Sequence, residues 1–102
     1  NLTVLQLTTI YHTELKQKEL EKYAYNILKK ADVNIKLYEK VSSLSGGMLQ
    51  RIILEREIEE NPEVMFLFNP THGLDSESTQ RLYAKLDKLA QSGTDVIIGE
   101  PQ

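Results

Sequence analysis

Val64-Met65-Phe66-Leu67-Phe68 is an unbroken apolar run, too short for a helix and bracketed by Pro62 and Pro70, so it reads as a strand. A strand with one wet face alternates apolar and polar residues. An unbroken run instead predicts burial on both faces, as in a parallel sheet covered by helices. Parallel strands need a crossover connection. One follows directly: Ser76 to Gln91 carries Leu82, Leu86, Leu89 and Ala90 on one stripe, Ser92-Gly93 supplies a stop, and Val96-Ile97-Ile98 reads as the next strand. The later part of the chain is therefore expected to be α/β, a strand–helix–strand unit with a right-handed crossover.

The earlier part is helical in pattern. Thr13 is placed to cap a helix over residues 14–31, in which Leu20, Tyr23, Ala24, Ile27 and Leu28 recur at helical spacing and Lys29-Lys30 suit the C-terminal dipole. Residues 1–11 carry Leu2, Val4, Leu5, Leu7 and Ile10 in a loose pattern that fits a short helix or an extended segment equally well. Residues 32–43 have no sustained period and read as a connector with a short turn around Ile35-Leu37.

The connector leads into Leu44-Ser45-Gly46-Gly47-Met48-Leu49-Gln50-Arg51. Ser45 is a strong N-cap type before a run of good helix formers, with Leu44 and Leu49 spaced as a hydrophobic staple. The helix should run over 46–60 with Leu49, Ile52, Ile53 and Arg56 turned inward, and Asn61-Pro62 should end it. Two glycines in a first turn are poor helix formers, and their presence suggests that something comes close to the backbone N–H groups there. A helix N-terminus without side chains is an anion site; an ordinary capped helix with a flexible entry is the plainer reading.

Leu-Ser-Gly-Gly with Gln50-Arg51, followed by the apolar strand and by Asn69-Pro70-Thr71-His72-Gly73-Leu74-Asp75, resembles the ATP-binding cassette ATPases in the order and separation of two motifs. The resemblance covers nearly the whole chain but is specific only over Leu44–Asp75. It implies a partial phosphate-loop ATPase domain: residues 1–45 as helical subdomain and connector, residues 46–102 as signature helix and later half of the parallel-sheet core, with the phosphate-loop half missing. The sequence G-x-x-x-x-G-K-[ST] is absent, so no ATP or Mg²⁺ is expected on this chain alone, though both belong to the parent protein. Beginning at Asn1 and stopping just after a strand pattern, the chain reads as an excised piece.

The same resemblance implies that Ser45, Gly46, Gly47, Met48 and Gln50 meet the ATP phosphate held by a second nucleotide-binding domain, and that Asp75 touches that domain across the dimer. Met48 departs from the Gln or Asn usual at its position. Phe68 and Asn69 occupy the places of the Asp that holds Mg²⁺ and the Glu that polarises water; a phenyl ring binds no metal and an amide is no base, so no catalytic residue and no metal ligand is expected. Gly99-Glu100-Pro101 stands where a switch His is usual. His72, alone in a turn, is read as structural or solvated.

An intact signature beside a degenerate strand motif, with Asn-Pro-Thr and the opening Asn-Leu-Thr, resembles the second domain of tandem importer proteins for sugars or nucleosides. That implies membrane-spanning permease partners and a place on the cytoplasmic face of the membrane. Alternatives are a soluble ATPase of the same type acting on DNA or ribosomes, or a non-enzymatic interaction domain. A net charge of −3 from 12 basic and 15 acidic residues gives no sign of a nucleic-acid surface. Cysteine is absent, which removes disulfides and thiolate metal sites. With its flanking strands missing, the piece is expected to self-associate. The transported solute is not legible.

Overall fold

The computed structural model describes residues 2–99, which form two compact units divided between Glu59 and Glu60. The first contains α1 (Val4–Thr8), α2 (Gln17–Ala31), a 3-10 turn (Val41–Ser43) and α3 (Gly46–Glu59); the second contains β1 (Val64–Phe68), α4 (Ser76–Gln91) and β2 (Asp95–Gly99). The division lies beyond the 45/46 boundary expected from the motif. The reason is packing: Ile52 of α3 is fully buried in one cluster with Val4 and Leu7 of α1 and Ile27 of α2.

The ambiguity over the N-terminal segment resolves into a helix of a single turn and a half. Thr3 accepts from the Gln6 N–H and the Gln6 side chain accepts from the Thr3 N–H, a capping box, while the buried Thr8 hydroxyl donates to the Val4 carbonyl. Thr13 does not cap α2. The chain turns over residues 9–15, and α2 starts from Lys16 with no side-chain cap. Its C-terminus closes on Asp32 at φ 56°, with the Val33 N–H donating to the Leu28 carbonyl at 3.0 Å and Val33 itself buried. The short turn expected around Ile35-Leu37 is present and closes slightly later, the Glu39 N–H donating to the Lys36 carbonyl at 3.2 Å, and a 3-10 turn at Val41–Ser43 follows it.

In the second unit β1 and β2 pair in parallel, Met65 opposite Val96 and Phe66 opposite Ile97. α4 spans the residues expected and buries Leu82, Leu86 and Leu89, though Ala90 faces solvent. The Thr94 hydroxyl donates to the Pro62 carbonyl at 2.6 Å, fixing the start of β2 beside the entry to β1. Burial of β1 on both faces is not observed: Met65 is buried, but Phe66 and Phe68 are 76% and 81% exposed. Among the described residues the sheet has two strands, and the side chains of Val64, Phe66 and Phe68 leave the face opposite Met65.

Candidate functional site

Ser45 caps α3 as its residue type predicts: its Oγ accepts the Met48 N–H at 3.1 Å, and its carbonyl accepts the Leu49 N–H at 3.0 Å. Those bonds satisfy the third and fourth N–H groups of the first turn. The Gly46 and Gly47 N–H groups come before the first intrahelical acceptor, so helix geometry leaves them pointing out of the helix end, where the positive end of the macrodipole lies. The Ser45 hydroxyl, accepting at oxygen, keeps its proton to donate outward. Ser45, Gly46 and Gly47 are all exposed.

Neither glycine is required by the packing of this chain. A Cβ built on Gly46 or on Gly47 meets nothing within 4 Å, and neither residue has a positive φ. Glycine is a poorer helix former than alanine, so the pair does not help α3 to start. What the pair does provide is a bare row of donors that a large anion can approach to hydrogen-bond distance.

The remaining residues expected at this site are placed differently. The Met48 side chain turns back against the hydrophobic cluster of the first unit, and its N–H is held by the cap, so it presents no free group outward. Gln50 lies further along α3, partly buried. Of the positions expected to face inward, Ile52 is fully buried and Leu49 partly so, but Ile53 is 37% exposed; the inward place is taken by Glu55, which is 3% exposed. A glutamate on the core side of a helix gives no signal in a hydrophobic pattern.

In the second unit, β1 runs out at Phe68 and the chain turns. Asn69 has φ 51°, a left-handed conformation that asparagine tolerates better than most side chains. Its N–H donates to the Gly99 carbonyl at 2.7 Å, and its carbonyl accepts the His72 N–H at 3.1 Å. Asn69 is thus a turn residue in its own right. His72 is exposed on that turn. Asp75 caps α4, its Oδ1 accepting the Ser78 N–H at 2.7 Å, and that bond holds its carboxyl below the usual carboxylate range, with a smaller contribution from Arg81. The position expected to carry a switch His lies at residues 99–101, of which only Gly99 is among the described residues.

The donor set at Phe68 and Asn69 does not fit a magnesium ion, since neither side chain carries a charged oxygen. Among the described residues no group of three or more His, Cys, Asp or Glu is disposed to hold a metal, and no helix is long and apolar enough to cross a membrane.

Comparison with known proteins gives consistent relatives. No family model matches. The chain is 38% identical over 77 residues to the probable riboflavin import ATP-binding protein of Treponema pallidum, a match that covers 76% of this chain and 13% of that protein. It is 39% identical over 62 residues to a ribose import ATP-binding protein of Mesorhizobium japonicum, covering 61% of this chain and 12% of that one. Among solved structures it superposes, with a TM-score of 0.77 and 28% identity, on a dimeric ATP-binding cassette in a post-hydrolysis state bound to ADP and Pi; the match covers 99% of this chain and 47% of that structure. The chain therefore spans about half of one solved cassette and a small part of the two import proteins.

Proposed function

The chain belongs to the ATP-binding cassette ATPases, of whose domain it spans about half, and from that premise we propose that it is the signature-bearing piece of an importer's ATP-binding subunit. In this reading the α3 N-terminus closes over the γ-phosphate of ATP held by a second nucleotide-binding domain. The observation that carries it is the open space at Gly46 and Gly47, where this chain's own fold has no use for glycine. The Ser45 hydroxyl and the two glycine N–H groups then supply donors aimed at a charge that grows in the transition state.

The chain's own site contributes no chemistry. Phe68 and Asn69 offer neither a metal ligand nor a base, and the phosphate loop is absent from the sequence, so the chain alone neither holds nor hydrolyses ATP. A bound Mg²⁺ and ATP in the partner site would supply the charge neutralisation and the phosphoryl group. The residues of this chain orient the phosphate and exclude water. Permease subunits at the cytoplasmic face of the membrane complete the assembly. A sugar or nucleoside as the solute is supported by the ribose import relative and by the Asn-Pro-Thr form of the turn.

A Gly46→Cys substitution is tolerated because its Cβ meets nothing, and in a parent protein whose other cysteines have been replaced it gives a clean reporter. Paired with a cysteine in the partner domain's phosphate loop, it should form a disulfide in the intact parent protein when ATP is present. Absence of that crosslink, with both cysteines accessible to a small thiol reagent, would contradict the reading.

A further inference from the structure

Resting on the proposed contact between α3 and a phosphate, we propose that residues 2–11 are a strap that aims α3, with Tyr11 and Arg56 as its positioning residues. The strap holds the chain on both sides of Ser45–Gly47. On the near side it pairs with the connector: the Val4 N–H donates to the Glu39 carbonyl at 2.9 Å, the Leu5 N–H to Leu37 at 2.8 Å, and the Val41 N–H to Leu2 at 2.8 Å. From Val41 the path to the cap is one tight turn, closed by the Leu44 N–H on the Val41 carbonyl at 3.0 Å. The cap therefore cannot shift far without moving residues 2–5.

On the far side the strap grips α3 about three turns beyond the cap, roughly 16 Å along its axis. Arg56 donates from Nη1 to the Leu7 carbonyl at 3.3 Å and from Nη2 to Glu57 Oε1 at 3.0 Å, and its guanidinium carbon stands 5.2 Å from the centre of the Tyr11 ring. The Tyr11 hydroxyl donates to the same Glu57 oxygen at 2.7 Å. The Arg56 side chain is only 13% exposed, so its two hydrogen bonds are partly desolvated and stronger than a surface pair, whereas the Tyr11–Glu57 bond lies at the surface.

Apolar packing at Ile52 holds the middle of α3 in the cluster, and hydrogen bonds, which weaken steeply away from their preferred angle, add a further directional constraint. The fork of Arg56 is directional, spanning a backbone carbonyl of the strap and a carboxylate of α3 at once. It fixes the rotation and slide of α3 against α1, and so the line along which the Gly46 and Gly47 N–H groups point. For a site that acts by preorganised donors, a shift of about 1 Å costs up to about a hundredfold in rate.

The test is ATP turnover by the intact parent protein carrying Arg56→Gln, Arg56→Lys, Tyr11→Phe or Gly47→Asp. Arg56→Gln should lower kcat about tenfold with KM within about twofold, because nucleotide binding in the partner site is untouched while transition-state donors are misaligned. Arg56→Lys keeps a cation beside Tyr11 but cannot span both acceptors, and should fall between wild type and Arg56→Gln. Should Arg56→Gln fail to fold, Tyr11→Phe, which removes only the bond to Glu57, carries the test with an expected loss in kcat of about threefold. Wild-type kcat in Arg56→Gln and Tyr11→Phe alongside a collapse in Gly47→Asp would overturn the strap alone. A raised KM at unchanged kcat would overturn it too. Wild-type turnover in Gly47→Asp would remove the phosphate contact, and the strap with it.

Discussion

The ring of Phe68 lies against Gly99, its register partner on β2, and a Cβ added to that glycine would stand 3.2 Å from Phe68 Cδ2. At the end of the strand where the family resemblance expects a carboxylate, this chain puts an aromatic side chain over a glycine. The pair makes a coupling that can be measured. Gly99→Ala should be more favourable in a Phe68→Ala background than in the wild type by about 0.5 kcal/mol, because the ring no longer has to give way. Urea melts of the four proteins of the cycle check it; additive effects would show that the ring moves aside freely.

Asn69 is a turn residue before it is anything else. At φ 51° a glutamine loses the tolerance that asparagine has for left-handed backbone. Asn69→Gln should therefore destabilise the protein by about 1 kcal/mol, while turnover of the parent protein per folded molecule stays near wild type. A loss of turnover larger than the loss of folded protein, compared by activity and circular dichroism on the same samples, would mean that the Asn69 amide takes part in the chemistry.

The cap at Asp75 makes the stability of the second unit depend on acid. Its carboxyl is held below the ordinary aspartate value chiefly by the Ser78 N–H, so the folded state binds its proton less readily than the unfolded state does. The stabilisation is complete above that value and is lost as pH falls through the depressed folded value. Asp75→Asn keeps an acceptor without the charge, and its melting temperature should trail the wild type at pH 7 and converge with it in acid. Parallel curves from pH 7 to pH 2 would show that the charge of Asp75 contributes nothing.

Phe66 and Ile97 face each other across the sheet on its uncovered side, 76% and 46% exposed. Such a face, with open strand edges, recruits other chains. The 102-residue chain should self-associate in the range of tens of micromolar, roughly where exposed apolar strands aggregate. Phe66→Lys with Ile97→Lys should return it to a monomer. Light scattering that finds the wild type monomeric throughout that range would contradict this.

How much of this was legible in the sequence depended on the length of each signal. α4 carries an apolar stripe over several turns, and its limits are as read, as is the parallel pairing that follows from its crossover. α1 is too short for periodicity, yet its capping box was present as Thr3-x-x-Gln6 and could have settled the ambiguity. Thr13 misled because a good cap type is no guarantee of a cap: the chain turns twice before α2 begins at Gln17. The burial that the apolar run predicts for Phe66 and Phe68 is not met, because among the described residues a helix covers one face of the sheet. The grip of Tyr11 on Arg56 and Glu57 joins residues far apart in the chain, which no local pattern encodes.

The central claim is that Gly46 and Gly47 serve a phosphate outside this chain and not the chain's own fold. Gly47→Asp separates the two. The new Cβ meets nothing within 4 Å, and a carboxylate in the first turn of a helix suits the dipole, so stability should hold or rise by about 0.3–1 kcal/mol. The same carboxylate stands where a phosphate oxygen would approach, and loss of such donors lowers the rate by about a hundred- to a thousandfold. ATP turnover of the intact parent protein, measured beside its melting temperature, should show a folded and inactive variant. Turnover within about twofold of wild type in a folded Gly47→Asp protein would contradict the account.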